Sequence, residues 1–158
     1  DYKGFLFIGL MKVKGDPYVI EYNVRLGDPE TEVILPRLRS DLLELLEGVA
    51  TNTLSERDVD IDPRSAATIM LVSGGYPEAY EKGKEIKGLQ NIQGQSIVFH
   101  AGTQSDGPKT ITAGGRVLCT TAYGKDLERA LKQSYESIES ISFDQSYYRK
   151  DIGKDVLK

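Results

Sequence analysis

The stretch Val19–Glu32 (VIEYNVRLGDPETE) sets the tightest limit on how this chain can fold. Its first half alternates with period two. That puts Glu21, Asn23 and Arg25 on one strand face and Ile20, Tyr22 and Val24 on the other. The apolar set is expected to pack into a core, leaving a carboxylate, an amide and a guanidinium in a row opposite. Gly27-Asp28-Pro29 then stops the strand and starts a helix. Asp28 suits the N-cap, Pro29 the first helical position, and Glu30 and Glu32 the acid-tolerant first turn. A polar row running into a capped helix start has the makings of a ligand site.

On either side of this stretch the pattern is one of short elements. Gly4–Val13 reads as a strand, joined by a Lys14–Pro17 turn to the strand Tyr18–Asn23, so the two should run antiparallel. Pro29–Leu35 predicts a short helix interrupted near Pro36. Ser40 is then expected to cap a second helix with an apolar stripe of Leu42, Leu45, Leu46 and Val49. Ala50–Arg64 is polar and acid-rich and reads as the connection between two structural units, 1–61 and 62–158.

Beyond that connection Ala66–Val72 is nearly all apolar, which suits a strand buried on both faces. Gly74-Gly75-Tyr76-Pro77 breaks it, and Lys82–Gln93 is irregular with a possible strand at Glu85–Leu89. Ser96–Ala101, Lys109–Thr112 and Arg116–Ala122 follow as strands separated by Asp106-Gly107-Pro108 and Gly114-Gly115 turns. Lys125–Glu139 places Leu127, Ala130, Leu131, Ser134, Tyr135 and Ile138 at helical spacing. The fold class expected is α+β, with a small, mostly antiparallel second unit carrying one amphipathic helix.

Charge narrows the partners. A net charge of −4 in 158 residues, with a pI near 5.1, makes no electrostatic case for nucleic acid or an anionic membrane. No apolar run is long enough to span a bilayer. Lone Cys119 can form no internal disulfide and, with a single His, makes no zinc constellation. Cys119 reads as core, and the expected compartment is the reducing cytoplasm.

The candidate chemistry lies on the polar row. Glu21 and Asn23 supply oxygens roughly 7 Å apart along a strand rising roughly 3.3 Å per residue, and both can turn towards one hard cation. Mg²⁺ commonly takes one or two protein oxygens and completes its shell with phosphates and water. The plainer alternative is a solvated strand face paired to Arg25. Arg25 offers a planar fork for phosphate or carboxylate, or a salt bridge to Glu21 or Asp28. Asp28, Pro29 and Glu30 sit where helix ends bind anions, but acids would repel one. Their carboxylates could instead accept hydrogen bonds from an amine or from hydroxyls, while an ordinary cap explains Asp28 adequately by itself. Outside this row, His100 is read as structural and Gly114-Gly115 as a hairpin turn. Gly114-Gly115-Arg116 could alternatively greet a phosphate, and Arg149-Lys150-Asp151 could touch substrate or dock the tail.

The octapeptide RLGDPETE (Arg25–Glu32) closely resembles the signature of the phosphoribosylamine–glycine ligase (glycinamide ribonucleotide synthetase) family of the ATP-grasp superfamily. The likeness continues in order through GFLFIGLM, LPRLRSDLLELL, SGGYPEAY, VFHAGT, GGRVL and YRKDIG, covering nearly the whole chain. The resemblance implies the C-terminal part of such an enzyme: the end of the ATP-grasp domain (1–61), then the small C-terminal domain (62–158). The N-terminal domain and ATP lid would precede it, so the isolated chain is expected to be inactive. By the same resemblance the enzyme joins glycine to 5-phosphoribosylamine with ATP through a glycyl phosphate. Glu21 and Asn23 would bind Mg²⁺ or Mn²⁺, Arg25 would stabilise the acyl phosphate, and Asp28, Pro29 and Glu30 would contact substrate. Gly4–Val13 holds no Asp or Glu, whereas many ATP-grasp enzymes place another metal-binding acid on the preceding strand. The number of metal ions therefore stays open. Two other readings are another ATP-grasp enzyme, such as a carboxylase or related purine ligase, and a binding or assembly module without activity.

Overall fold

The computed structural model describes residues 1–92 and 94–157. Gln93, which ends the segment expected to be irregular, and Lys158 lie outside the described residues. The chain forms two compact units, Asp1–Pro63 and Arg64–Lys158.

In the first unit, β1 (Phe7–Val13) and β2 (Asp16–Asn23) form an antiparallel hairpin. Its turn is shorter than the sequence suggests: Lys14 and Gly15 both have positive φ, which a two-residue hairpin loop favours, and Asp16 and Pro17 already pair. Phe7 pairs with Asn23, Ile8 with Tyr22 and Gly9 with Glu21, but Leu10 pairs with Val19. Ile20 is thus an extra residue, and this bulge resets the strict alternation expected of the strand. The expected core face is not buried. Ile20, Tyr22 and Val24 are 61%, 64% and 65% exposed, because a two-stranded ribbon has no third layer to cover its side chains.

The helix expected at Pro29–Leu35 is α1 (Thr31–Arg37), with Pro36 accommodated in its last turn. The next helix is α2 (Leu42–Thr51), and its cap is Asp41, not Ser40. The Asp41 carboxylate accepts from the Leu43 (2.7 Å) and Glu44 (3.2 Å) amides. Ser40 instead bridges two backbone groups, donating to the Asp58 carbonyl and accepting from the Asp60 amide. The division of labour is chemical: a carboxylate only accepts, which suits amides at a helix start, whereas a hydroxyl can do both. The connection after α2 folds back, with the Arg39 amide donating to Asp60 O and the Asp62 amide to Arg37 O. The expected stripe of Leu42, Leu45, Leu46 and Val49 forms, but it faces an apolar cavity of about 520 Å³ shared with α1 and Ile61. Only Gly27 and Gly48 are buried in the whole unit.

The second unit holds the core. β3 (Ser65–Val72), β4 (Ile97–His100) and β7 (Arg116–Gly124) form an antiparallel sheet with β7 in the centre. The helix α3 (Leu127–Glu139) packs its apolar stripe on β3 and β7, where Ile69, Val117, Leu118, Ala130 and Ile138 are fully buried. The cap of α3 is Asp126, which accepts from the Arg129 amide (2.8 Å). Polar groups cross the same contact: Thr120 Oγ1 donates to Ser134 O (2.9 Å), and Ser134 Oγ donates to Ala67 O (2.6 Å). Because β3 is an edge strand, it buries Ala67, Ile69 and Leu71 but leaves Ala66, Thr68 and Met70 half-covered. The expectation of burial on both faces is corrected accordingly.

A second hairpin pairs β5 (Thr103–Asp106) with β6 (Lys109–Thr112) around Gly107-Pro108. β5 has no counterpart in the sequence reading, since TQSD carries no apolar alternation. Gly114-Gly115 is not a hairpin turn. It carries the chain from β6 into the three-stranded sheet, held by Ser73, whose amide donates to Gly115 O and whose hydroxyl donates to Gly114 O. The strand expected at Glu85–Leu89 reduces to isolated bridges, Glu85 with Ile111 and Lys87 with Ser142. Beside it Lys84 lies between Glu81 (3.2 Å) and Asp144 (3.3 Å). Burial works to lower its pKa, but the two carboxylates outweigh that and hold it above the usual lysine value. The fold is α+β, as the sequence implies, and every strand pair among the described residues is antiparallel.

This distribution of burial sets the expected stability profile. Native-state hydrogen exchange should show the slowest amides in β3, β7 and α3 and much faster exchange in the β1–β2 hairpin. Ile138→Ala should cost about 2–5 kcal/mol in urea unfolding, as for other large-to-small changes at filled core sites.

Candidate functional site

Glu21 and Asn23 sit on one face of β2 above the bulge, paired with Gly9 and Phe7 of β1. Glu21 is exposed and Asn23 half-buried at the end of the strand. The third member of the expected row is displaced. β2 stops at Asn23, so Arg25 lies in the bend beyond it and not on the strand face. Its guanidinium donates to Leu26 O (3.2 Å), and neither Arg25 nor Glu21 enters an ion pair among the described residues. The alternative of a Glu21–Arg25 salt bridge is therefore not formed.

The turn that follows is built by backbone and by Thr31. Asp28, Pro29 and Glu30 form the turn itself, and the helix starts at Thr31. Asp28 is not the N-cap. Glu30 occupies that position in helical geometry without a side-chain cap bond, and its carbonyl accepts from the Val33 and Ile34 amides. Gly27 closes the turn: its carbonyl accepts both the Thr31 amide (3.0 Å) and Thr31 Oγ1 (2.5 Å). The Glu30 carboxylate folds over Gly27, where an added Cβ would collide with it. Glycine at 27 thus leaves space for the acid three residues on. The acidic residues Asp28 and Glu30 are exposed in the turn that follows the strand end at Asn23 and the bend at Arg25.

The donor chemistry of this surface is consistent with a hard cation. A carboxylate and an amide oxygen two residues apart on one strand match the oxygen preference of Mg²⁺ or Mn²⁺ when phosphates and water fill the other positions. Among the described residues no group of three or more His, Cys, Asp or Glu forms a self-sufficient metal cage.

The other candidates have structural partners. His100 is exposed at the end of β4, with Nδ1 3.0 Å from Thr103 Oγ1. Cys119 is buried and forms no disulfide. Arg149 pairs through Nε and Nη2 with the Asp151 carboxylate (3.0 and 2.8 Å), which holds that carboxyl below its usual pKa. The same segment docks on α3 through Tyr135, whose hydroxyl donates to Arg149 O and accepts the Ile152 amide. The sequence reading missed Gly9, which faces Glu21 across the hairpin. A glycine in the middle of an otherwise apolar strand was its only signal.

Known proteins resemble the chain along its length. Residues 66–155 match the family described as phosphoribosylglycinamide synthetase, C domain, and residues 1–31 match the ATP-grasp (A) domain of the same synthetase. Phosphoribosylamine–glycine ligase of Chlorobaculum tepidum is 45% identical over 99% of this chain and 37% of its own length. That of Vibrio vulnificus is 47% identical over 96% of this chain and 36% of its own length. The crystal structure of phosphoribosylamine–glycine ligase from Thermotoga maritima superposes with a TM-score of 0.72 at 37% identity, covering 92% of this chain and 36% of that one. The chain therefore spans 36–37% of the length of these relatives.

The turn geometry carries its own test. Thr31→Val removes the hydroxyl bond to Gly27 while keeping the shape of the side chain. It should lower stability by about 1 kcal/mol, read as a lower urea midpoint at unchanged m-value.

Proposed function

The chain belongs to the phosphoribosylglycinamide synthetase family, and on that premise we propose that it is the C-terminal portion of an ATP-dependent carboxylate–amine ligase. Residues 1–61 are read as the end of the ATP-grasp domain and 62–158 as the C-terminal domain, working in the cytoplasm. The substrates are glycine, 5-phosphoribosylamine and ATP, and the product is glycinamide ribonucleotide. The observation that carries this reading is the Glu21–Asn23 pair on one strand face, leading within a few residues to Arg25 and the acidic Asp28–Glu30 turn.

In the proposed reaction the glycine carboxylate attacks the γ-phosphorus of ATP and ADP leaves. The amine of phosphoribosylamine then attacks the acyl carbon of glycyl phosphate, and phosphate leaves as the amide forms. No covalent enzyme nucleophile is required, so the work of the chain is positioning and electrostatic stabilisation. A divalent cation, Mg²⁺ or Mn²⁺, would neutralise phosphate charge, with the Glu21 carboxylate and the Asn23 amide oxygen as its protein ligands. Arg25, exposed just beyond the strand end, presents a permanent cation to the acyl phosphate. The Asp28 and Glu30 carboxylates accept hydrogen bonds from a substrate amine or from ribose hydroxyls, and Pro29 shapes the turn between them.

The test belongs on the full-length enzyme that contains this chain, followed by ADP release dependent on both glycine and phosphoribosylamine. Glu21→Gln keeps the size of the side chain and removes its charge. It should lower turnover by at least about a hundredfold, beyond what disturbing an outer-shell partner of a metal costs, with an unchanged circular dichroism spectrum. Wild-type turnover at ordinary Mg²⁺ would remove Glu21 from the metal site.

A further inference from the structure

Gly9 is directly opposite Glu21 in the β1–β2 ladder. Its φ lies outside the left-handed region, so the backbone does not demand glycine there. Glycine weakens a strand interior, and what it supplies in exchange is room. The room is taken by one neighbour. A Cβ on Gly9 would lie 3.0 Å from Glu21 Cγ and 3.7 Å from the Glu21 backbone N and O. The Glu21 side chain therefore lies against the open face of Gly9, closer than it would comfortably sit to a β-carbon. Glu21 is also the residue after the bulge at Ile20, and bulges re-aim the side chains beside them. No ion pair among the described residues holds the Glu21 carboxylate, so its direction is set by shape.

We propose that Gly9 is a positioning residue for Glu21: its missing side chain lets Glu21 lie over β1 and aims the carboxylate to share one cation with the Asn23 amide oxygen. This rests on the reading of Glu21 and Asn23 as a ligand pair. A β-carbon at position 9 makes this contact too tight, so Glu21 Cγ gives by a few tenths of an ångström and carries its carboxylate with it, without either ligand being changed chemically.

The experiment titrates Mn²⁺ into the full-length enzyme with a non-hydrolysable ATP analogue, reading free Mn²⁺ by electron paramagnetic resonance beside circular dichroism. Gly9→Ala should weaken Mn²⁺ binding about tenfold, the lower range for a displaced outer-shell support, with an unchanged spectrum. Glu21→Ala should abolish the tight site, and Gly9→Ala added to it should change nothing further. Wild-type Mn²⁺ affinity in Gly9→Ala, with loss in Glu21→Ala, overturns the positioning role and leaves the ligand assignment standing. Wild-type affinity in Glu21→Ala overturns the ligand assignment and the positioning role with it. If Gly9→Ala does not fold, the double variant decides. Folding restored by Glu21→Ala supports the contact, and no restoration assigns the glycine to the backbone and overturns the proposal.

Discussion

The burial of one face of α3 on β3 and β7 is the contact on which the second unit depends. Ile69, Val117, Leu118, Ala130 and Ile138 are all fully buried in the core cluster built there. Sealing it requires the polar atoms at the interface to be paired. The Thr120 and Ser134 hydroxyls do this by donating to carbonyls across the helix–sheet boundary. The surrounding loops then attach to a rigid centre. Ser73 holds the Gly114-Gly115 passage, and Tyr135 holds the C-terminal segment.

The first unit is organised on a different principle. It has almost no buried side chains, and its geometry comes from backbone pairing: a hairpin with a fixed register, a turn closed on Gly27 O, and a returning segment, Asp60–Asp62, bridged to Arg37–Arg39. That register matters more than burial for the polar row. With Ile20 as the extra residue, Glu21 and Asn23 keep a common face while Leu10 meets Val19, so the bulge decides which side chains accompany the two donors.

How much of this was legible in the sequence varies by element. Lys125–Glu139 could be read as a helix because its 3.6-residue period is strong and one side buries fully. The Glu21/Asn23 pairing on one face was legible because alternation holds from 21 to 23, and the phase break lies just before it. The position of Arg25 was not legible, since a strand end depends on where the partner strand stops pairing. Asp28 looked like a cap by residue type, yet Thr31 and Gly27 build the turn that places the helix start two residues later, at Thr31. β5 was invisible because its four residues are polar, and only its partner β6 makes it a strand.

By itself, then, the sequence determined the family, the α+β class and the residue types of the polar row. Those rest on local order: motif spelling, periodicity and turn residues that are read within a few positions. Tertiary structure alone decided that Ile20 bulges, that β3 is an edge strand and that Gly9 faces Glu21. Each of these is a pairing between segments separated in the chain. Register between two strands is chosen by the sum of contacts along both, which no single segment encodes.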